Sequence, residues 1–95
     1  MSSSDAVPRY KLVFHAPLAA VEACKKAVFA AGAGSYGNYS ECAWTTVGRT
    51  QFRPSDGANP HIGSVGRLET VEEAQVETLC AGEDVARNAV RALKQ

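Results

Sequence analysis

Two histidines and three cysteines, His15, His61, Cys24, Cys42 and Cys80, are the side chains best suited to hold a metal or attack a carbonyl. A metal site needs three or four converging donors, often with short spacing such as two histidines one turn apart on a helix. The two histidines here are far apart. The cysteines form no C-x-x-C pair and are odd in number, which argues against a zinc ribbon or a disulfide framework. The expectation is no bound metal and no cofactor, with the thiols buried as small apolar residues. A cysteine nucleophile needs a histidine base and an orienting third group. Cys42 and His61 are the pair to consider, yet Cys42 opens a strand-like segment and reads as core. Glu69, Glu72, Glu73 and Glu77 fit a solvated edge better than a hydrolytic acid pair.

Gly32 to Gly37 spells G-x-G-x-x-G. Dinucleotide binding requires that loop to follow a strand and open a helix, so that the pyrophosphate meets the helix N-terminus. Here it follows a helical pattern and precedes a strand. A helix stop and a turn are expected instead.

The stretch Gly48 to Gly66, GRTQFRPSDGANPHIGSVG, is a long connection between two strand-like segments. Such loops in small domains are usually functional or disordered. This one carries the candidate binding residues Gln51, Phe52, Arg53, Asn59 and His61. Flanked by Phe52 and Pro54, the Arg53 guanidinium suits bidentate pairing with a carboxylate or phosphate. The favoured alternative is that it hydrogen-bonds loop carbonyls, together with Asn59, and holds the loop's shape. Trp44 and Phe52 read as core or interface anchors, because no basic groove accompanies them as single-strand binding would require.

The chain of 95 residues fits one domain, with residues 1–8 a flexible tail and 9–95 the folded unit. Ten basic and ten acidic residues cancel. No net field draws the chain to nucleic acid or an anionic membrane, and near-zero charge favours self-association. No secretory signal or membrane-length apolar run is present, so a reduced, cytoplasmic protein is expected.

The elements that must position these residues follow from periodicity. Arg9 to His15 alternates, with Tyr10, Leu12 and Phe14 on one face and Lys11, Val13 and His15 on the other, which predicts a strand. Pro17 suits a helix's first turn, and Leu18, Val21, Cys24, Ala27, Val28 and Ala31 recur at helical spacing up to Gly32 and Gly34. Cys42 to Val47 is a second strand, with an extension through Phe52 before Pro54 ends the ladder. Val65 to Leu79 is strand-like, with Ala74, Val76 and Thr78 facing one way and Gln75, Glu77 and Leu79 the other. After Gly82, Glu83 and Asp84 open a helix whose apolar stripe is Ala86, Ala89, Val90 and Leu93. The order β-α-β-β-α matches an α+β, ferredoxin-like split βαβ arrangement: an antiparallel sheet with two helices on one face.

AGAGSYGNYSECAWTTVG (31–48) followed by QFRPSDGANPHIGSVGRLETVEE (51–73) resembles the inserted domain of the Nif-three (NGG-one-interacting factor three) family. The motifs G-N-Y-x-x-C-x-W, Q-F-R-P and G-A-N-P-x-I-G carry the likeness together, over about residues 9 to 94. That domain is itself similar to CutA and the PII signalling proteins. The resemblance implies a CutA/PII-like fold, trimers formed through the sheets, and a role capping or regulating the opening of an oligomeric ring. Larger members bind two metal ions on a separate scaffold, which this chain does not contain. Thr50 stands where the family usually has glycine, and Gln75 where a basic residue is common. The family continues past the second helix, through a segment resembling H-P-Y-E-E-P, into a closing strand. This chain ends at Gln95. An open sheet edge is therefore expected.

Two functions remain. The first is a non-catalytic regulatory or interaction module, working through the 51–66 loop and self-association as a trimer or dimer. Its loop would meet a neighbouring subunit, a partner protein or a small anionic ligand. The second is a vestigial or partner-dependent component of a metal-dependent hydrolase.

Overall fold

The computed structural model describes residues 7–59 and 63–95. Strand β1 (Arg9–Pro17) leads through a single 3₁₀ turn (Leu18–Ala20) into helix α1 (Val21–Ala30). Strands β2 (Ala43–Phe52) and β3 (Glu69–Ala81) follow, and helix α2 (Glu83–Leu93) closes the order. The sheet is antiparallel, in the order β1-β3-β2. This is a small ferredoxin-like α+β fold, as the periodicity predicts.

Register follows the alternation of apolar residues. Ala74, Val76, Thr78 and Cys80 of β3 are buried toward the helices, as is Ala16 of β1. Cys80 clusters with Val28 of α1 and Ala89 of α2, and Ala16 and Ala74 cluster with Val21 of α1. The Thr78 hydroxyl donates to the Cys42 carbonyl at 2.7 Å, so its burial strands no polar atom. Leu12 and Phe14 of β1 pack against the same core from the sheet.

Helix α1 ends at a Schellman arrangement. The Gly32 amide donates to Phe29 O at 3.0 Å and the Ala33 amide to Val28 O at 3.0 Å, with Gly32 at φ +108. The last of the three glycines in the G-x-G-x-x-G run lies in a tight turn in which Tyr36 and Tyr39 exchange two backbone hydrogen bonds of 2.9 Å. The run is a helix stop followed by a turn.

Several boundaries and burials differ from expectation. Pro17 ends β1 instead of opening a helix, and the 3₁₀ turn after it leaves Leu18 exposed, off the buried stripe. β3 begins at Glu69, not Val65. Cys42 precedes β2 and is exposed, which overturns its reading as core. Cys80 is buried as expected, and Cys24 is half-buried. Trp44 is 68% exposed and so is no core anchor. Val90 is exposed on α2, and Val85 packs inward in its place.

On the helix side of the sheet, coverage sets what is buried. Helices of 10 and 11 residues reach about 15–17 Å, whereas strands of 10 and 13 residues reach about 33–44 Å. They lie over β1 and β3. β2 is left bare on the face that the helices cover elsewhere.

Candidate functional site

The β2–β3 ladder runs from Ala43–Thr78 to Phe52–Glu69, while β1 stops pairing at Pro17–Glu73. The ribbon beyond Glu73 is therefore a two-stranded arm carrying the long loop at its tip. The Thr50 hydroxyl donates to the Glu73 carboxylate across this arm. The result is an elongated molecule, 56 × 23 × 19 Å, with a radius of gyration of 16.3 Å. A compact chain of this length would give about 12 Å.

The loop has a closed base. Arg53 donates from its guanidinium to the Gly66 carbonyl at 2.7 Å, and the Gly66 amide donates to the Pro54 carbonyl at 2.7 Å. Pro54 is buried there. Beyond it, the Ala58 amide donates to Ser55 O at 2.9 Å and the Arg67 amide to Ser64 O at 3.1 Å. Gly57 and Gly66, at φ +89 and +83, supply the left-handed backbone these turns need.

Of the candidate binding residues, Gln51 and Phe52 are consecutive in β2 and so point to opposite faces of the arm, Gln51 exposed and Phe52 half-buried. Arg53 reaches Gly66 and not Asn59, which is exposed. His61 lies outside the described residues. Arg53 thus takes the loop-holding option, with most of its side chain still exposed to solvent.

The sheet face away from the helices is the second feature. A cross-strand row joins Lys11 to Glu77 at 3.3 Å, and His15 Nε2 donates to Gln75 Oε1 at 3.1 Å. Val13, Leu79 and Trp44 lie exposed among these groups. The Trp44 indole N–H donates to the Thr46 hydroxyl at 2.7 Å, which holds the ring along its own strand. A cleft of about 410 Å³ opens at the start of β2, lined by Tyr36, Cys42, Trp44 and Leu79, with Lys11 and Glu77. The alternation of Val13 and Leu79 marks this face in the sequence. The exposure of Cys42 and of β2's other face carries no such mark, because both depend on where the helices end.

Among the described residues no group of three or more His, Cys, Asp or Glu side chains is placed to hold a metal ion. No helix there is long and apolar enough to cross a membrane. Burial pushes the Cys80 thiol above its ordinary range.

No family model matches the chain. It is 49% identical over 69 residues to the GTP cyclohydrolase 1 type 2 homolog of Mycobacterium leprae, covering 73% of this chain and 18% of that protein. The homolog of the same name from Bacillus subtilis is 44% identical over 72 residues, covering 76% and 19%. Among solved structures, a Bacillus cereus protein related to NIF3 superposes with a TM-score of 0.77 at 33% identity, covering 92% of this chain and 21% of its own. The chain therefore spans less than a quarter of the length of each of these relatives. On these matches and on the shared fold, it is a domain of the NIF3 (Nif-three) family.

Proposed function

We propose that the chain is a non-catalytic regulatory or protein-interaction module, working through the loop at the tip of the β2–β3 arm and through self-association. The observation that carries this reading is the arm itself. A loop with a hydrogen-bonded base, projecting beyond the helices and displaying Gln51, Arg53 and Asn59 to solvent, offers a partner a preformed surface. Preformed surfaces lose less conformational entropy on binding. The remaining donors of Arg53 suit a carboxylate or phosphate, so an acidic protein segment or a small anionic ligand is the matching chemistry. The uncovered sheet supports assembly into a dimer or trimer. The CutA/PII-like kinship and a cytoplasmic location belong to the same reading.

The test is the double variant Arg53→Ala, Asn59→Ala, assayed for solution mass and for binding of citrate and phosphate by calorimetry. Loss of either assembly or anion binding is expected. If both are unchanged from the parent chain, the loop is not the working surface.

The relatives' name, a cyclohydrolase homolog, together with the metal ions that the family resemblance implies for larger members, favours a second reading, a vestigial or partner-dependent component of a metal-dependent hydrolase. Stoichiometric zinc, iron or manganese in the purified protein would support it. Traces alone would sink it as a self-contained enzyme.

A further inference from the structure

Among the described residues, Glu41 is the one non-glycine residue with a positive φ, +57. A left-handed backbone suits glycine or asparagine, and under a side chain as long as glutamate it carries a conformational cost. The chain just after it is fixed. The Cys42 amide donates to Gly34 O at 2.9 Å, and the Cys42 carbonyl accepts the Thr78 hydroxyl at 2.7 Å. The bend at Glu41 is therefore set by its surroundings, and glycine would make it with less strain. The side chain lines a cleft of about 430 Å³ between α1 and the turn into β2. That volume lies within the range of small-molecule sites, about 300–1,000 Å³. Phe29, Ala30 and Ala33 give the cleft an apolar floor, Phe29 half-buried and Ala33 buried. Lys26 enters from α1 and Glu41 from the turn, a cation and an anion on one apolar surface. Among the described residues neither side chain has an ion-pair or hydrogen-bond partner, whereas the neighbouring Lys25 is tied to Glu22 at 3.2 Å. The Ser35 and Ser40 hydroxyls line the same cleft and are likewise unbonded there.

From this we infer that the cleft binds a free α-amino acid with an apolar side chain. The charges set the ligand class. Lys26 meets the α-carboxylate, Glu41 meets the α-ammonium, and the floor of Phe29, Ala30 and Ala33 takes the apolar side chain. Each serine hydroxyl both donates and accepts, so Ser35 and Ser40 serve either charged group. A purely apolar ligand would desolvate both charges and pair neither. A dianion or a diamine would satisfy one charge and be repelled by the other. A zwitterion on an apolar stem answers all three surfaces at once. The strained backbone at Glu41 then has a use: it is the cost of placing a carboxylate where glycine would fit the turn better. The cleft shares no residue with the 51–66 loop, so this site and the loop surface proposed above stand or fall separately.

The test titrates the isotope-labelled full chain with L-leucine, up to about 20 mM, and follows its amides by NMR. The amides of Lys26, Phe29, Ser35 and Glu41 should shift and saturate, while those of the 51–66 loop stay in place. Isocaproate, which lacks the ammonium, and isoamylamine, which lacks the carboxylate, should each bind about fivefold more weakly. Glu41→Gln should weaken leucine by about fivefold and leave isocaproate unchanged. Lys26→Gln should weaken leucine to the same degree and leave isoamylamine unchanged. Glu41→Gly should also weaken leucine, yet unfold in urea at no lower concentration than the parent, which separates loss of the carboxylate from damage to the turn. Absence of any saturable shift around the cleft overturns the site. Equal binding of all three ligands, or leucine binding unchanged in both Glu41→Gln and Lys26→Gln, overturns the zwitterion assignment.

Discussion

Cys42, Cys24 and Cys80 grade from exposed through half-buried to fully buried, and thiol chemistry should follow that order. With a disulfide reagent, Cys42 should react at once, Cys24 more slowly, and Cys80 at the rate of unfolding. Prompt reaction of all three would mean the core around Val28 and Ala89 is open. Burial raises the Cys80 thiol pKa, so the folded state holds its proton to higher pH than the unfolded chain does. Stability should then be flat across neutral pH and fall as pH rises above about 8.5, where the unfolded thiol ionises. Cys80→Ala should remove that part of the alkaline loss, measured by urea unfolding at several pH values. Composition alone made three similar buried thiols the natural expectation. What separates them is position: Cys80 sits in the middle strand under the helices, whereas Cys42 lies in the turn just before an edge strand.

At the scale of elements, the turn between α1 and β2 is fixed by Gly34. Its amide donates to Leu79 O at 2.8 Å, its carbonyl accepts from the Cys42 amide at 2.9 Å, and its φ is +85. A Cβ there would stand 2.9 Å from the Phe29 ring and 3.0 Å from the Cys42 amide nitrogen. Gly34→Ala should therefore destabilise by more than about 1 kcal/mol in denaturant unfolding. An effect within a few tenths would mean the turn is free to move. The loop base makes a second prediction. Arg53→Ala removes the bond to Gly66 O, so hydrogen exchange at Gly66 and Arg67 should accelerate by about fivefold while β3 amides are unchanged. No change there would show that the Gly66–Pro54 bond closes the loop by itself. Strand and helix identities were legible because their periods differ, 2 against 3.6 residues. The ends were not. Val65 to Leu68 has the composition of a strand but lies in the loop and its closing turn, because β2 offers no partner residue beyond Phe52.

At the scale of the whole molecule, a radius of gyration of 16.3 Å and a bare Trp44 describe a chain that exposes much of its sheet. Trp44 is the single tryptophan, so its emission reports coverage of β2 directly. Emission should be red-shifted in dilute solution and move to the blue as concentration rises and a second copy covers the ring. A red-shifted spectrum at all concentrations, beside an assembled mass by light scattering, would place the contact elsewhere on the molecule. By itself the sequence determined the order of elements, the two faces of β1 and β3, the glycine stops and the family motifs, because local periodicity and turn chemistry encode these within a few residues. Only the tertiary structure decided that β2 lies bare at an edge, that Cys42 and Trp44 face solvent, and that Arg53 clasps Gly66. The bare helix-side face of β2 depends on how far two short helices reach across longer strands, Trp44 lies on the opposite face of the sheet, and Arg53 meets a residue thirteen positions along the chain; all are relations between segments distant in the chain that no local pattern contains.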